Sequence, residues 1–405
     1  MSDSHRLPLI QEIGGLCRAA ASGSGESLLS ASKDVRTNLP AGFKQRIALR
    51  WGAHDVSPVR CFYHPGYFFP LPEEHPFPMD KFWRAAEMVR AECPAVRIVP
   101  IELASVVQLL RVHTPSYLTA IRTGTLTRDD QVRLGLPPCE SLLSRCRRET
   151  AGTVAAMWAA LDERLACNLA GGTHHAFPDR GLGYCVLNDV AIAIRDLHAV
   201  HPDRRIFVID TDAHQGNGSN GIFADDERVF TYSIHVGRNY PAEKTAGSLD
   251  VELPRHVSGA DYLVQLEATL PLAFERFGPD IAFWISGSDP HENDRFGQMK
   301  LSDGDLDARD RAVLELVTRH GIPTAVLYGG GYNRERVHTA RLHANTIKMA
   351  EGFWKRSGVA MANRVSSAHT GSMKTAEGVR ECFAEPGVED AGWRDKIAIP
   401  DWRQR

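Results

Sequence analysis

Four short stretches of this 405-residue chain combine side chains that bind metal ions or move protons. In Thr211-Asp212-Ala213-His214-Gln215-Gly216-Asn217-Gly218, a carboxylate and an imidazole stand two residues apart. In an extended segment that spacing points both side chains the same way, as two ligands of one ion require. Asp289, within Gly287-Ser288-Asp289-Pro290, offers a third donor. Three protein ligands leave a coordination position for water or substrate, the layout of a catalytic rather than a structural site. Mixed nitrogen and carboxylate donors suit Zn2+, and Fe2+ or Co2+ also accept them. The adjacent imidazoles of His174 and His175 follow Gly171-Gly172-Thr173, and Tyr332 follows Gly329-Gly330-Gly331. Each motif alone has a plainer reading: a polar turn satisfying its own backbone, a structural histidine pair, a glycine turn. Their occurrence directly after four apolar runs is what points to a single site.

Those runs are Leu165–Ala170, Ile206–Asp210, Ile281–Ser286 and Thr324–Tyr328, and three more lie at Arg60–Tyr63, Val96–Ile101 and Val229–Ile234. Each is too short for a helix and reads as a buried strand. Helix-period stretches separate them at 81–92, 145–164, 186–199, 260–277, 304–319 and 334–352; in the third, Leu187, Val190, Ile194 and Leu197 share one face. The alternation predicts an α/β fold, a single large domain with a central, mainly parallel β-sheet flanked by helices. Functional groups then belong on loops beyond the carboxyl ends of the strands. Residues 1–56, polar and Ser/Gly-rich in part, read as an N-terminal extension, 57–353 as the catalytic domain and 354–405 as an irregular tail.

Composition narrows the classes. Net charge is −3, with 43% apolar and 24% charged residues, which gives no electrostatic case for nucleic-acid binding. No run approaches the roughly 18 apolar residues of a membrane span. Eight dispersed cysteines without a CxxC pair fit a reducing compartment, and the cytoplasm is the expected location.

The chain resembles the histone deacetylase superfamily, with its arginase–deacetylase fold, over roughly residues 58–350. The resemblance rests on GGTHHAFPDRGLGYCVLNDVAIA, VIDTDAHQGNG, TYSIHVGRNYP, SGSDPHENDRFGQMKLS and YGGGYN, preceded by HPGYFFPLPEEHPFP and VHTPSYL. The wording is closest to the class IV-like and bacterial branch. Carried over by position, the resemblance implies Asp212, His214 and Asp289 as zinc ligands. It makes His174 and His175 the tandem imidazoles, with His175 the general base and then acid and Asp210 the partner of His174. Asn217 stands where some members have Asp beside the second imidazole. Tyr332 takes the place of the tyrosine that hydrogen-bonds the substrate carbonyl. Tyr184 and Tyr240 match the channel walls, with Gly183 between wall and base, and Met299 matches an apolar residue near the channel mouth. The family also places monovalent cations, K+ or Na+. One is implied at Asp210, Asp212, His214, Ser233 and Ile234, partly through backbone carbonyls, and another near Phe223, Asp226 and Val229.

These parts imply metal-assisted hydrolysis of an amide on an acylated lysine peptide or a small acylated amine, with acetylpolyamine and long-chain acyl-lysine as alternative substrates. An oligomer of identical chains is compatible with this reading. A two-manganese ureohydrolase needs further acidic ligands near the DxH pair, where this chain has Gln215-Gly216-Asn217. A binding protein with a dead site would have lost a ligand, the histidine pair or Tyr332, and all are present.

Overall fold

A computed structural model describes residues 58–368, with side chains as far as Lys355. Its strands are β1 (Val59–Phe62), β2 (Val96–Val99), β3 (Leu165–Asn168), β4 (Ile206–Asp210), β5 (Val229–Val236), β6 (Leu249–Leu253), β7 (Ile281–Ile285) and β8 (Thr324–Leu327). They form one sheet in the order β2-β1-β3-β8-β7-β4-β5-β6. Every pairing is parallel, which sharpens the expectation of a mainly parallel sheet. In β3, β4, β7 and β8 every residue is buried, because helices cover both faces of the sheet's centre. β6 has no counterpart among the expected strands. It is an edge strand, and its Leu-Asp-Val-Glu-Leu alternation leaves Glu252 exposed.

The helices among the described residues are α1 (Lys81–Glu92), α2 (Val106–Leu109), α3 (Pro115–Thr123), α4 (Arg128–Leu134), α5 (Glu140–Glu163), α6 (Asp189–Val200), α7 (Asn217–Phe223), α8 (Gly259–Phe277), α9 (Asp303–Arg319) and α10 (Arg336–Ala368). Six correspond to the expected periodic stretches, and α2, α3, α4 and α7 are too short to show a period. Of the face expected on α6, Leu187 precedes the N-cap Asn188, while Val190, Ile194 and Leu197 are fully buried. α10 corrects the expected start of an irregular tail at 354, since it continues to Ala368. No proline interrupts that stretch, and glycines at 352 and 358 each cost only about 1 kcal/mol in a helix. The extension expected over 1–56 and the remainder of the tail lie outside the described residues.

Register is what positions the site. Asn168 pairs with Leu327, Leu327 with Ile285, Ile285 with Asp210, and Asp210 with Ser233. The last residues of four neighbouring strands thus form one row, although they are far apart in sequence. With strands about 4.8 Å apart, the outer two of these ends are only about 14 Å from each other. Loops leaving this row need only a few residues to meet.

Candidate active site

His214 stands where the loops converge. Its Nδ1 lies 3.0 Å from Oδ1 of Asp212 and 2.9 Å from Oδ2 of Asp289. All three residues are buried, with their ligand atoms within 4.8 Å of one another. On the other side of the ring, Nε2 donates to the carbonyl of Phe296 at 3.2 Å. That bond keeps a proton on Nε2 and turns Nδ1 toward the carboxylates, as outer partners of metal-bound histidines do. Backbone N–H groups hold the carboxylates: Ala213 donates to Asp289 at 2.9 Å and Gly330 to Asp212 at 2.7 Å. A Cβ on Gly330 would collide with Asp289 Oδ2 and sit 2.6 Å from Asp212 Oδ2, so no larger residue fits against this cluster.

The charges agree with a cation site. Burial pushes the His214 imidazole down, but its hydrogen bonds to Asp212 and Asp289 and their charges outweigh it and hold it well above its usual value, so a proton on Nδ1 takes the place where a metal ion would bind. Burial, and then the neighbouring Asp212 charge, push Asp289 up to about 7. Two facing carboxylates and a nitrogen donor, buried together, favour a positive charge between them, and the donor set fits Zn2+.

His174 and His175 lie beside this cluster, their ring centroids 4.1 Å apart. Their partners differ. His174 Nδ1 donates to Asp210 at 2.7 Å, and His175 Nδ1 donates to the amide oxygen of Asn217 at 2.9 Å. For His174, burial works downward but the Asp210 and Asp212 charges prevail, raising it to about 9. Burial and then the charges of His174 and His214 hold His175 well below its ordinary value. The Asp210 carboxylate thus favours the charged form of His174, whereas burial and neighbouring positive charge favour the neutral form of His175. Burial, and then Asp212 and Asp289, keep the Tyr332 phenol protonated.

His174, His175, Asp212, His214 and Tyr332 line one cavity together with Gly183 and Tyr184. Tyr240 meets His175 edge-on at 5.1 Å, and Tyr184 lies 5.8 Å from Tyr332. Tyr184 adopts a left-handed φ of 67°, held by its N–H on Leu134 O and by the Gly183 N–H on Arg133 O. Gly183 is itself at φ 53°, and a Cβ there would approach Tyr240 to 2.7 Å and His175 to 2.9 Å. Lys244 Nζ donates to the carbonyls of Asn239 and Pro241 on either side of Tyr240.

Met299, expected near the channel mouth, is instead buried in the hydrophobic core and does not line the cavity. Phe296, three residues earlier, packs 5.3 Å from Tyr332. Its carbonyl accepts from the Asn239 amide at 2.7 Å as well as from His214.

The residues implied for monovalent cations fall into two groups. Ser233 lies beside Asp210 in the sheet, next to Ile234, close to the Asp212–His214 loop, and its hydroxyl meets His235 Nδ1 at 2.9 Å. Phe223, Asp226 and Val229 form a turn in which Asp226 N–H donates to Phe223 O and Val229 N–H to Asp226 O. Arg195 and Arg228 already engage the Asp226 carboxylate, so only backbone carbonyls remain there for a cation.

Several further residues that shape the site are not singled out in the sequence. Lys81 is buried, donates to Gly329 O at 3.1 Å and lies over the rings of Phe77, Phe82 and Tyr332; burial lowers its ammonium to about 8 against the pull of Asp289 and Asp212. Arg309, also buried, reaches from α9 to the carbonyls of Gly287 (2.5 Å) and Thr211 (3.4 Å), strapping together the loops after β4 and β7. Asp294 accepts from the N–H groups of Phe296, Gly297 and Tyr332. Phe77 braces both Tyr184 and Tyr332. The buried Arg145–Glu149 pair lines the cavity too.

An eight-stranded parallel α/β sheet whose central strands deliver their loops to one buried cluster has the arginase–deacetylase architecture. The chain belongs to the histone deacetylase family: residues 75–347 match the family model described as histone deacetylase domain. An uncharacterized protein of Picosynechococcus sp. is 40% identical over 273 residues, covering 67% of this chain and 91% of the relative. Histone deacetylase 2 of Arabidopsis thaliana is 29% identical, over 72% of this chain and 79% of its own length. Acetoin utilization protein AcuC of Staphylococcus aureus is 28% identical, over 65% and 74%. The HD domain of HDA15 superposes with a TM-score of 0.62 at 19% identity, covering 76% of this chain and 94% of that one, a likeness of fold. Family membership supports a deacetylase, a hydrolase of amides. Among the described residues, no helix is long and apolar enough to cross a membrane.

Proposed function

We propose that this protein is a zinc-dependent amidohydrolase that removes an acyl group, acetyl in the first instance, from a lysine side chain or a related primary amine. The observation that carries the reading is the inequality of the two imidazoles beside the Asp212–His214–Asp289 cluster. His174 faces the Asp210 carboxylate, which favours its charged form, and His175 faces the neutral Asn217 amide, which suits it to act as a base.

Asp212, His214 and Asp289 would hold the ion, which when bound polarises the amide carbonyl and eases deprotonation of water. His175 then takes the proton of the attacking water and returns it to the departing amine. Its Nδ1–H bond to Asn217 keeps the accepting lone pair on Nε2 throughout. His174, protonated against Asp210, supplies positive charge near the developing oxyanion without giving up its proton. Tyr332, whose phenol stays protonated, donates to that same oxygen, where the bond strengthens as charge develops. Gly183 and Tyr184 line the cavity beside His175, with Tyr240 packed edge-on against that ring, a lining that suits a slim, unbranched acyl-amine stem. A monovalent cation at Asp210, Ser233 and Ile234 belongs to the same reading.

The test is release of acetate from an acetyl-lysine peptide, with and without chelator, by wild type and Tyr332→Phe. Turnover should vanish on chelation, and the variant should lose about a hundredfold or more. Chelator-resistant turnover, or a variant that keeps wild-type rates, overturns the assignment. Comparing kcat/KM for acetyl-, butyryl- and myristoyl-lysine peptides and acetylputrescine then identifies the substrate class, because discrimination is read in that ratio. The names of the relatives motivate the lysine arm of that panel.

A further inference from the structure

Outside the cavity, a second group of metal-ligating side chains converges. His291 follows Asp289 by two residues on the loop after β7, Asp303 opens α9, and His338 lies on the first turn of α10. Asp303 Oδ1 lies 2.9 Å from His291 Nε2 and 3.0 Å from His338 Nε2, and the three ligand atoms fall within 4.8 Å of one another. Those separations equal the 3.0 and 2.9 Å of the His214 cluster. The two imidazole rings stand at 78° with centroids 4.8 Å apart. Two imidazoles bound to one tetrahedral ion through nitrogens at about 2.0–2.1 Å would have centroids about 5 Å apart. The observed geometry is within a few tenths of an ångström of that arrangement.

We propose that His291, Asp303 and His338 form a second divalent-metal site. Its floor is the His291 imidazole, whose side chain is only 2% exposed, while Asp303 (56%) and His338 (24%) face solvent. That leaves an entry path and room for water as the fourth ligand. His291 Nδ1 accepts the Asn293 N–H at 3.2 Å, so without an ion the proton of this ring sits on Nε2, toward Asp303. Binding at Nε2 moves that proton to Nδ1 and gives up the long Asn293 bond. The site therefore takes ions with strong imidazole affinity, of the Zn2+, Ni2+ and Cu2+ class, and not Mg2+ or Ca2+. A bound ion would tie the Asp289 loop to the starts of α9 and α10, the latter just beyond the Tyr332 loop.

The experiment counts zinc by mass spectrometry in full-length protein that has been stripped, reloaded and dialysed. Wild type should hold two equivalents. His338→Gln and Asp303→Asn, both at exposed or half-buried positions, should each hold one, and Asp212→Asn should keep the one at this second site. Thermal melts followed by circular dichroism verify that each variant is folded. A wild type with one equivalent that Asp212→Asn abolishes overturns the second site and leaves the catalytic reading intact. So do folded surface variants that both retain the wild-type count. An equivalent lost in His338→Gln yet kept in Asp212→Asn supports the second site even if the chain proves inactive on acyl amides.

Discussion

Replacing Asn217 by Asp exchanges a neutral acceptor for a charged one, 2.9 Å from Nδ1 of His175, with almost no change of shape. The protein carries its own comparison for this change. His174, with a carboxylate at 2.7 Å, is raised to about 9 despite burial, whereas burial and neighbouring cations hold His175 well below its ordinary value. An opposite charge at this range raises an imidazole by about 1–3 pH units. That corresponds to about 1.4–4 kcal/mol in favour of the protonated ring. Only neutral His175 can accept a proton, so a raised pKa extends the inactive form to higher pH. The acid limb of kcat/KM should move upward by the same interval. For each pH unit that the limb moves, activity below it should fall by about tenfold, while the alkaline plateau stays within a few-fold of wild type. The assay is kcat/KM on an acetyl-lysine peptide from about pH 5 to pH 9, with metal content checked in each sample. An acid limb at the wild-type position in a fully metallated Asn217→Asp protein would refute the role given to the amide.

Three further outcomes follow from the geometry. Gly183→Ala places a methyl group 2.7 Å from Tyr240 and 2.9 Å from His175, and should lower kcat/KM about tenfold to a hundredfold with metal content unchanged; an unimpaired variant would contradict the channel. Asp289→Ala removes one of three ligands and should lose the active-site ion, as counted by elemental analysis, and full occupancy of that site would exclude the ligand set. Asp226 is held below its usual value first by the Arg228 bond, against opposing burial, and then by Arg195. The stability it contributes is present above the unfolded carboxylate value of about 3.9 and is lost as pH falls through its lower folded value. Asp226→Asn should thus lower Tm by a degree or two at pH 6 and weaken its acid dependence below about pH 4; parallel melting curves for both proteins across that range would count against it.

What is legible in the chain follows from where information is local. β3, β4, β7 and β8 are buried on both faces, so each appears as a mostly apolar run, and the chemistry-bearing residues follow directly at their carboxyl ends. β6 gives no such run because it alternates and is paired on one side only. The short α2 and α3 show no period, but their starts are written in the caps, Ser105 with Gln108 and Thr114 before Pro115. Phe296 and Met299 are both apolar residues of one loop, and only tertiary packing decides that the first meets Tyr332 and the second the core. Lys81 and Arg309 bear no motif because each acts on backbone atoms of a segment remote from it in sequence.

The carbonyl oxygen of Phe296 serves two masters. It fixes the ring of His214, and it anchors the residue beside Tyr240 through Asn239. Exchanges at the rim that shift this peptide to widen the opening would also turn an imidazole at the bottom of the cavity. Breadth of substrate choice and grip on the ion are thereby coupled, and descendants of this chain could broaden the first only by loosening the second or by rebuilding that peptide's surroundings.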